Sequence, residues 1–226
     1  MEIQEQLKHI SSYTSKLLRK NFGRGPESCQ ATLNGKHLVL YIRGFISPME
    51  EVLVQKGQQN YVHSARDVII GDIIIELKGV VQVTLQTDVH EAYHDWNFPN
   101  NSGMVILELE NEVLESDEDL GFKIHTFEQE VSRISSLVQK VPEQINTVVH
   151  TKNILLVERV GILVPIEKAL VHKGFTSELI LTKDELEKKY FHRDGKFEEI
   201  FHRRVQDIFI DWNLIEDKSL MAFILK

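Results

Sequence analysis

The sequence predicts an α+β fold made of two tandem copies of one small domain. Each copy runs helix, β-hairpin, helices and two strands. An antiparallel sheet carries the helices on one face, and the copies form a pseudo-twofold pair. Three observations predict this. Residues 38–57 read LVLYIRGFISPMEEVLVQKG and residues 155–174 read LLVERVGILVPIEKALVHKG, so Gly44, Pro48, Glu50, Leu53, Val54, Lys56 and Gly57 each recur 117 positions later. Asp95-Trp96-Asn97 recurs as Asp211-Trp212-Asn213 with a one-residue slip. Both copies end in an apolar run, MVILELE and LMAFILK. The first copy is set at residues 1–112, an acidic linker at 113–119 and the second copy at 120–226.

The elements follow in order. Ile3, Leu7, Ile10, Leu17 and Leu18 recur at helical spacing, predicting a helix over about residues 3–20. Asn34-Gly35 sits between two strand-like runs and marks a hairpin, because both residues tolerate positive φ. Ser47-Pro48-Met49-Glu50 reads as a capping box with proline at the first helical position, and Gly57 beside Lys56 closes that helix. Residues 61–87 combine β-branched composition with helical spacing. Their equivalent in the second copy is rich in helix formers behind a Thr182-to-Glu185 capping box, so both are read as helices. Gly79 and Gly195 fall at matching places and predict a kink or break in each. The short aromatic run VQDIFIDWN predicts a strand, and by the repeat residues 89–97 form one too. Ser116 is expected to cap the entry into the second copy.

Composition excludes several classes. The 226-residue chain has 42% hydrophobic and 27% charged residues and a net charge of -8, with only small basic clusters at residues 17–25 and 202–204. Nucleic acid is therefore not an expected partner. The single cysteine, Cys29, forms no intramolecular disulfide and reads as core filler in a reducing, cytoplasmic setting. No secretory signal is seen, and no apolar run reaches the length of a membrane span.

His90-Glu91-Ala92-Tyr93-His94 spells H-E-x-x-H, the zinc-hydrolase pattern. That site needs a helix, where residues four apart lie on one face within reach of one ion. On a strand the two histidines would be separated by roughly 13 Å. The second copy has Gln206 and Ile210 at these positions. The expected arrangement is a sheet face with His90, Ala92, His94 and Trp96, and Glu91 and Tyr93 on the other. Trp96 and Trp212 are expected in the core or between the copies.

NFGRGPESCQATLNGKHLVLYIRGFISPMEEVL joins a Gly-x-Gly-Pro turn to a strand and a Gly-x-Ile-Ser-Pro-x-Glu helix start, with an Arg sixteen residues past the Glu. It resembles the bacterial family named after the C component of a Na+-translocating membrane-potential-generating system. The resemblance spans residues 5–110 and, more loosely, 120–226. It places the family pattern on Gly23, Gly25, Pro26, Gly44, Pro48, Glu50 and Arg66. The second copy lacks the glycine turn and has Val164 for Ser47, while Pro165 and Glu167 remain.

Three functions are carried forward. The resemblance implies a non-enzymatic accessory or regulatory protein of a membrane ion or bicarbonate transport system. A sensor of a small anion would use Gly23, Arg24, Gly25 and Pro26 with Arg43, Glu50 and Arg66. A zinc hydrolase would use His90, Glu91 and His94. No cofactor is expected. Intramolecular pairing of the copies is expected, with the isoleucine-rich stripe of residues 61–87 as a candidate surface.

Overall fold

The computed structural model describes residues 2–113 and 121–226. Ser116 and all but the first residue of the expected linker lie outside the described residues. The chain divides into two compact units, Met1–Ser116 and Asp117–Lys226.

The first unit contains α1 (Ile3–Phe22), β1 (Ser28–Asn34), β2 (His37–Arg43), α2 (Pro48–Gln55), α3 (Gln59–Leu85), β3 (Val89–Asn97) and β4 (Ser102–Leu109). Its four strands are ordered β1-β2-β4-β3, each pair antiparallel. The second unit repeats the order with α4 (Ile124–Val138), β5 (Gln144–Thr151), β6 (Ile154–Val160), α5 (Pro165–His172), α6 (Thr176–Asp194), α7 (Phe197–Phe201), β7 (Val205–Asn213) and β8 (Lys218–Leu225). Its sheet is ordered β5-β6-β8-β7. The central registers match position for position: Ile42 lies opposite Gly103 in the first sheet, and Arg159 lies opposite Ser219 in the second, whereas β5–β6 shifts register between Val149 and Thr151 and β1–β2 does not. The two halves are thus the same α+β arrangement.

Local chemistry explains the elements. α1 buries Leu7, Ile10, Leu17 and Leu18, and ends where Gly23 takes φ 74°, a left-handed conformation that glycine enters without a Cβ penalty. The hairpin between β1 and β2 turns through Gly35 and Lys36, and Gly35 supplies the positive φ of 56°. α2 has the full capping box: Ser47 Oγ accepts from Glu50 N–H, and the Glu50 carboxylate accepts from Ser47 N–H at 2.8 Å. α3 turns Val62, Arg66, Ile70, Ile73, Leu77, Val81 and Leu85 to one side. Its buried apolar members join Leu38, Leu40, Ile42, Val105 and Leu107 in one core. Burying each leucine or isoleucine contributes about 1.5–3 kcal/mol.

Four expectations are corrected. The isoleucine-rich stripe of α3 belongs to the first unit's own core, because its three- and four-residue spacing fits it to the sheet of the same unit. α3 runs unbroken through Gly79, whereas its counterpart ends at Asp194 and α7 restarts at Phe197. Gly79 has open space around it. A Cβ on Gly195 would stand 2.2 Å from the Phe197 ring, so ring packing marks the break in the second unit alone. Thr182 does not cap a helix: α6 begins at Thr176, and the Thr182 hydroxyl donates to the Glu178 carbonyl at 2.7 Å, satisfying itself within the helix. Finally, β3 shifts register between Val89 and Glu91. His90 falls in that irregularity and leaves the strict alternation that would have placed it beside Ala92, His94 and Trp96.

Candidate functional site

The chemistry-bearing residues of the first unit meet where α2 starts, α3 passes and β3 ends. The Glu50 carboxylate that caps α2 also receives Arg66 from α3, with Nη2 donating to Oε2 at 2.8 Å. Arg66 Nε stands 2.8 Å from Oε1 as an ion-pair contact that is off hydrogen-bond geometry. Nη2 also donates to the Phe45 carbonyl at 3.3 Å. The guanidinium carbon lies 4.2 Å from the Phe22 and Phe45 ring centroids and 4.7 Å from that of Trp96. Arg66 is 1% exposed, so these cation–π contacts act in a desolvated setting.

Burial alone would raise the Glu50 carboxyl; the bonds from Arg66 and Ser47 outweigh it and hold the acid below its usual range. Burial pulls Arg66 down from its ordinary value, and Glu50 opposes that. The pair is therefore a neutral, aromatic-lined ion pair that ties α2 to α3. Its cationic member already faces a carboxylate, while Arg66 Nη1 is buried without a hydrogen-bond partner among the described residues.

The loop before α2 is fixed by a second device. Asn101 Oδ1 accepts from Phe45 N–H at 2.8 Å and Ile46 N–H at 2.9 Å, while Gly44 N–H reaches the Asn101 carbonyl at 2.8 Å. Gly44 has φ 67°, and a Cβ there would stand 2.3 Å from Glu27. In the second unit Asp217 makes the same bonds to Ile162 and Leu163, and Gly161 has φ 68°. Asp217 also pairs with Lys168 at 2.7 Å.

The corresponding centre in the second unit is rebuilt with other residues. Glu167 still accepts from the helix-start N–H, here of Val164, at 2.8 Å. Lys183, 117 positions after Arg66, meets Glu167 Oε1 at 3.1 Å, and also touches Gln139, which stands where Phe22 does. Lys183 further meets Glu187 at 3.1 Å. Glu187 binds Arg159 at 2.6 Å and accepts from Trp212 Nε1 at 3.2 Å. Arg159 completes its set with Ser135 at 3.1 Å and Ser219 at 2.9 Å. Burial alone would raise Glu187, but the Arg159 and Lys183 charges hold it down.

The other expected site residues are spread out. Gly23 terminates α1, and Arg24 beside it is exposed, donating to the Ile46 carbonyl at 3.2 Å and facing Glu27 at 3.8 Å. Gly25 and Pro26 are half-buried, and a Cβ on Gly25 would press on the Arg19 side chain. Arg43 is exposed at the end of β2. Glu50 and Arg66 are the only two of the expected set whose side chains bond each other among the described residues.

His90 and His94 lie on β3, so they lack the helical spacing of an H-E-x-x-H site. His90 is exposed. His94 Nε2 instead lies 3.4 Å from Asp67 Oδ1, and His63 Nδ1 lies 2.8 Å from Asp67 Oδ2. Burial alone would raise Asp67, but the two histidine contacts hold it at about 2. Burial pushes the Cys29 thiol up to about 12, as suits a side chain packed against the core.

Sequence reasoning missed the aromatic box of Phe22, Phe45 and Trp96, the Asn101 anchor, and Lys183 as the stand-in for Arg66. The last was findable, since the 117-residue offset carries Arg66 onto Lys183. Residues 3–111 match the model of the family described as "Na+-translocating membrane potential-generating system (MpsC)". No curated protein and no solved structure matches the chain.

Proposed function

With residues 3–111 belonging to that family, we propose that the chain is a soluble, non-enzymatic accessory or regulatory protein of a membrane ion transport system, working in the cytoplasm. The family assignment carries this reading. No helix among the described residues is long and apolar enough to cross a membrane. In this reading the chain therefore adjusts a translocating partner from outside the bilayer. The chemistry of the interior supports a structural and binding role. Arg66 is matched by Glu50, and Arg159 and Lys183 by Glu187 and Glu167, so the buried charges are spent on one another. The second unit is proposed as a diverged copy of the first.

The test uses inverted membrane vesicles from cells that lack the chain, with a voltage-sensitive dye reporting the potential after a Na+ pulse. Adding back the purified full chain should restore a Na+-dependent potential that the vesicles alone do not build. Equal responses with and without the chain would overturn the proposal.

A further inference from the structure

The outer face of α3 is apolar and open. Tyr61, Val68, Ile75 and Val83 are each between 69% and 80% exposed. At 100° per residue they fall on one narrow stripe with Ala65, Asp72 and Gly79, diametrically opposite the buried stripe that holds Arg66, Ile70 and Leu77. The stripe is about 33 Å long at 1.5 Å per residue. Single exposed apolar residues are ordinary on a protein surface, but an aligned series at three- and four-residue steps is the pattern of a helix that packs against another helix.

The second unit shows that the fold does not require it. At the same places α6 carries Glu178, Thr182, Glu185, Lys189 and His192, all exposed. The helix that packs its inner face on the sheet in the same way has a solvated outer face. The apolar stripe is particular to the first unit.

Charge selects the occupant. Asp72 sits at the middle of the stripe and is exposed, with Glu76 one turn on. A second copy of this chain, docking α3 antiparallel on α3 about a two-fold axis at the stripe's centre, would bring Asp72 against its own copy, which like-charge repulsion opposes. An anionic lipid surface is opposed by the Asp72 carboxylate, Glu76 being paired with Lys20 at 3.5 Å. We propose that this face binds an amphipathic helix of a partner protein that has an apolar stripe interrupted near its middle by a Lys or Arg, set against Asp72. The apolar contacts supply affinity and the central ion pair fixes register, as a single polar position does in a coiled coil. The proposal rests on the accessory reading only in treating the chain as a binding module.

The experiment uses the full chain and two labelled synthetic peptides of about six turns. Both carry leucine along one face, with lysine at the centre of one and glutamate at the centre of the other, and fluorescence anisotropy reads binding. The lysine peptide should bind at least about ten-fold more tightly, a gap of roughly 1.4 kcal/mol. Asp72→Lys should reverse the preference. Val68→Lys with Ile75→Lys should abolish binding of both peptides while leaving the circular-dichroism melt unchanged, since both side chains are exposed. Sedimentation and flotation with phosphatidylglycerol vesicles run alongside. The proposal is overturned if neither peptide binds or if Asp72→Lys leaves the preference unchanged. Self-association or vesicle binding that the Val68 and Ile75 substitutions remove would overturn it equally. These outcomes are independent of the dye experiment, so failure here and failure of the transport reading are separately visible.

Discussion

Arg159 on β6 stands directly opposite Ser219 on β8, and its Nε donates to the serine hydroxyl at 2.9 Å in a fully buried setting. In the first unit the same register position pairs Ile42 with Gly103. The exchange does not stop at two residues. Leu18 and Ile70, buried in the first core, correspond to Ser135 and Glu187, which are the other ligands of Arg159. Four positions have changed together, turning a patch of apolar packing into a satisfied polar network.

Such a network is costly to break and cheap to replace. Glu187→Gln leaves Arg159 buried without its counter-charge and should lower the unfolding free energy by about 3–5 kcal/mol. The combined change Arg159→Ile, Glu187→Ile, Ser135→Leu and Ser219→Gly restores the first unit's set and should cost far less than Glu187→Gln alone. Guanidinium unfolding of both variants checks this. A quadruple variant less stable than the single one would contradict it.

The Glu50–Arg66 pair is coupled by the same logic. Glu50→Ala strips the charge partner of Arg66 and the acceptor for Ser47 N–H, and should cost about 3–5 kcal/mol. Arg66→Met in the Glu50→Ala background should recover the part of that loss due to the stranded charge, because methionine keeps contact with Phe22, Phe45 and Trp96 without a charge to desolvate, while Ser47 N–H stays without its acceptor. A double-mutant cycle by urea unfolding measures the coupling, and additive single effects would show that the two side chains act independently.

The Trp96 indole packs against Gly103, so that a Cβ on Gly103 would stand 2.3 Å from the indole Cε3. Gly103→Ala should therefore displace the ring and cost about 1–3 kcal/mol. Ser219→Ala in the second unit adds no atom at that place and should act only through its lost bond to the buried Arg159 guanidinium, about 1.5–3 kcal/mol. Tryptophan fluorescence and thermal melts distinguish the two: only Gly103→Ala should shift the emission of Trp96.

How far the sequence disclosed this depends on the range of the interaction. The hairpin at Gly35, the Ser47–Glu50 capping box and the left-handed Gly57 are set within a few residues, and they were legible. The H-E-x-x-H of β3 could be discounted because VQDIFIDWN forms a strand in the other half. The buried Arg159 was not legible. In LLVERV an arginine beside a glutamate looks like a solvent-facing position, and only the convergence of β6, β8, α4 and α6 surrounds it. Glu50 was explained locally by its cap, whereas its bond to Arg66 depends on how α2 meets α3. Thr182 misled because a threonine three residues before a glutamate looks the same whether it caps a helix or bonds back within one.

Asp67 gives a pH dependence whose sign follows from its position between His63 and His94. Its folded value of about 2 lies below the ordinary aspartate value of 3.8. The carboxylate thus contributes stability that is present above about pH 4 and lost as the pH falls through about 2. The side chain is 39% exposed, so solvent screening reduces the effect to about 1 kcal/mol or less. Asp67→Asn should flatten the stability profile between pH 4 and pH 2 relative to the parent chain, which urea midpoints at stepped pH would show. An unchanged slope would mean that the carboxylate does not titrate with folding.

Cys29 provides a direct test of the first core. It sits on β1 against the hydrophobic cluster, and burial pushes its thiol up to about 12. At pH 8 almost none of it is thiolate, and the thiolate is the reacting species. An aromatic disulfide reagent should therefore modify the folded chain at least about a hundred-fold more slowly than the urea-unfolded chain, whose cysteine has its ordinary value near 8.5. Glu50→Ala should raise the rate in proportion to the population of the opened first unit, whereas Glu187→Gln acts on the second unit and should leave it unchanged. Rapid labelling of the unmodified chain would place Cys29 outside the protected core.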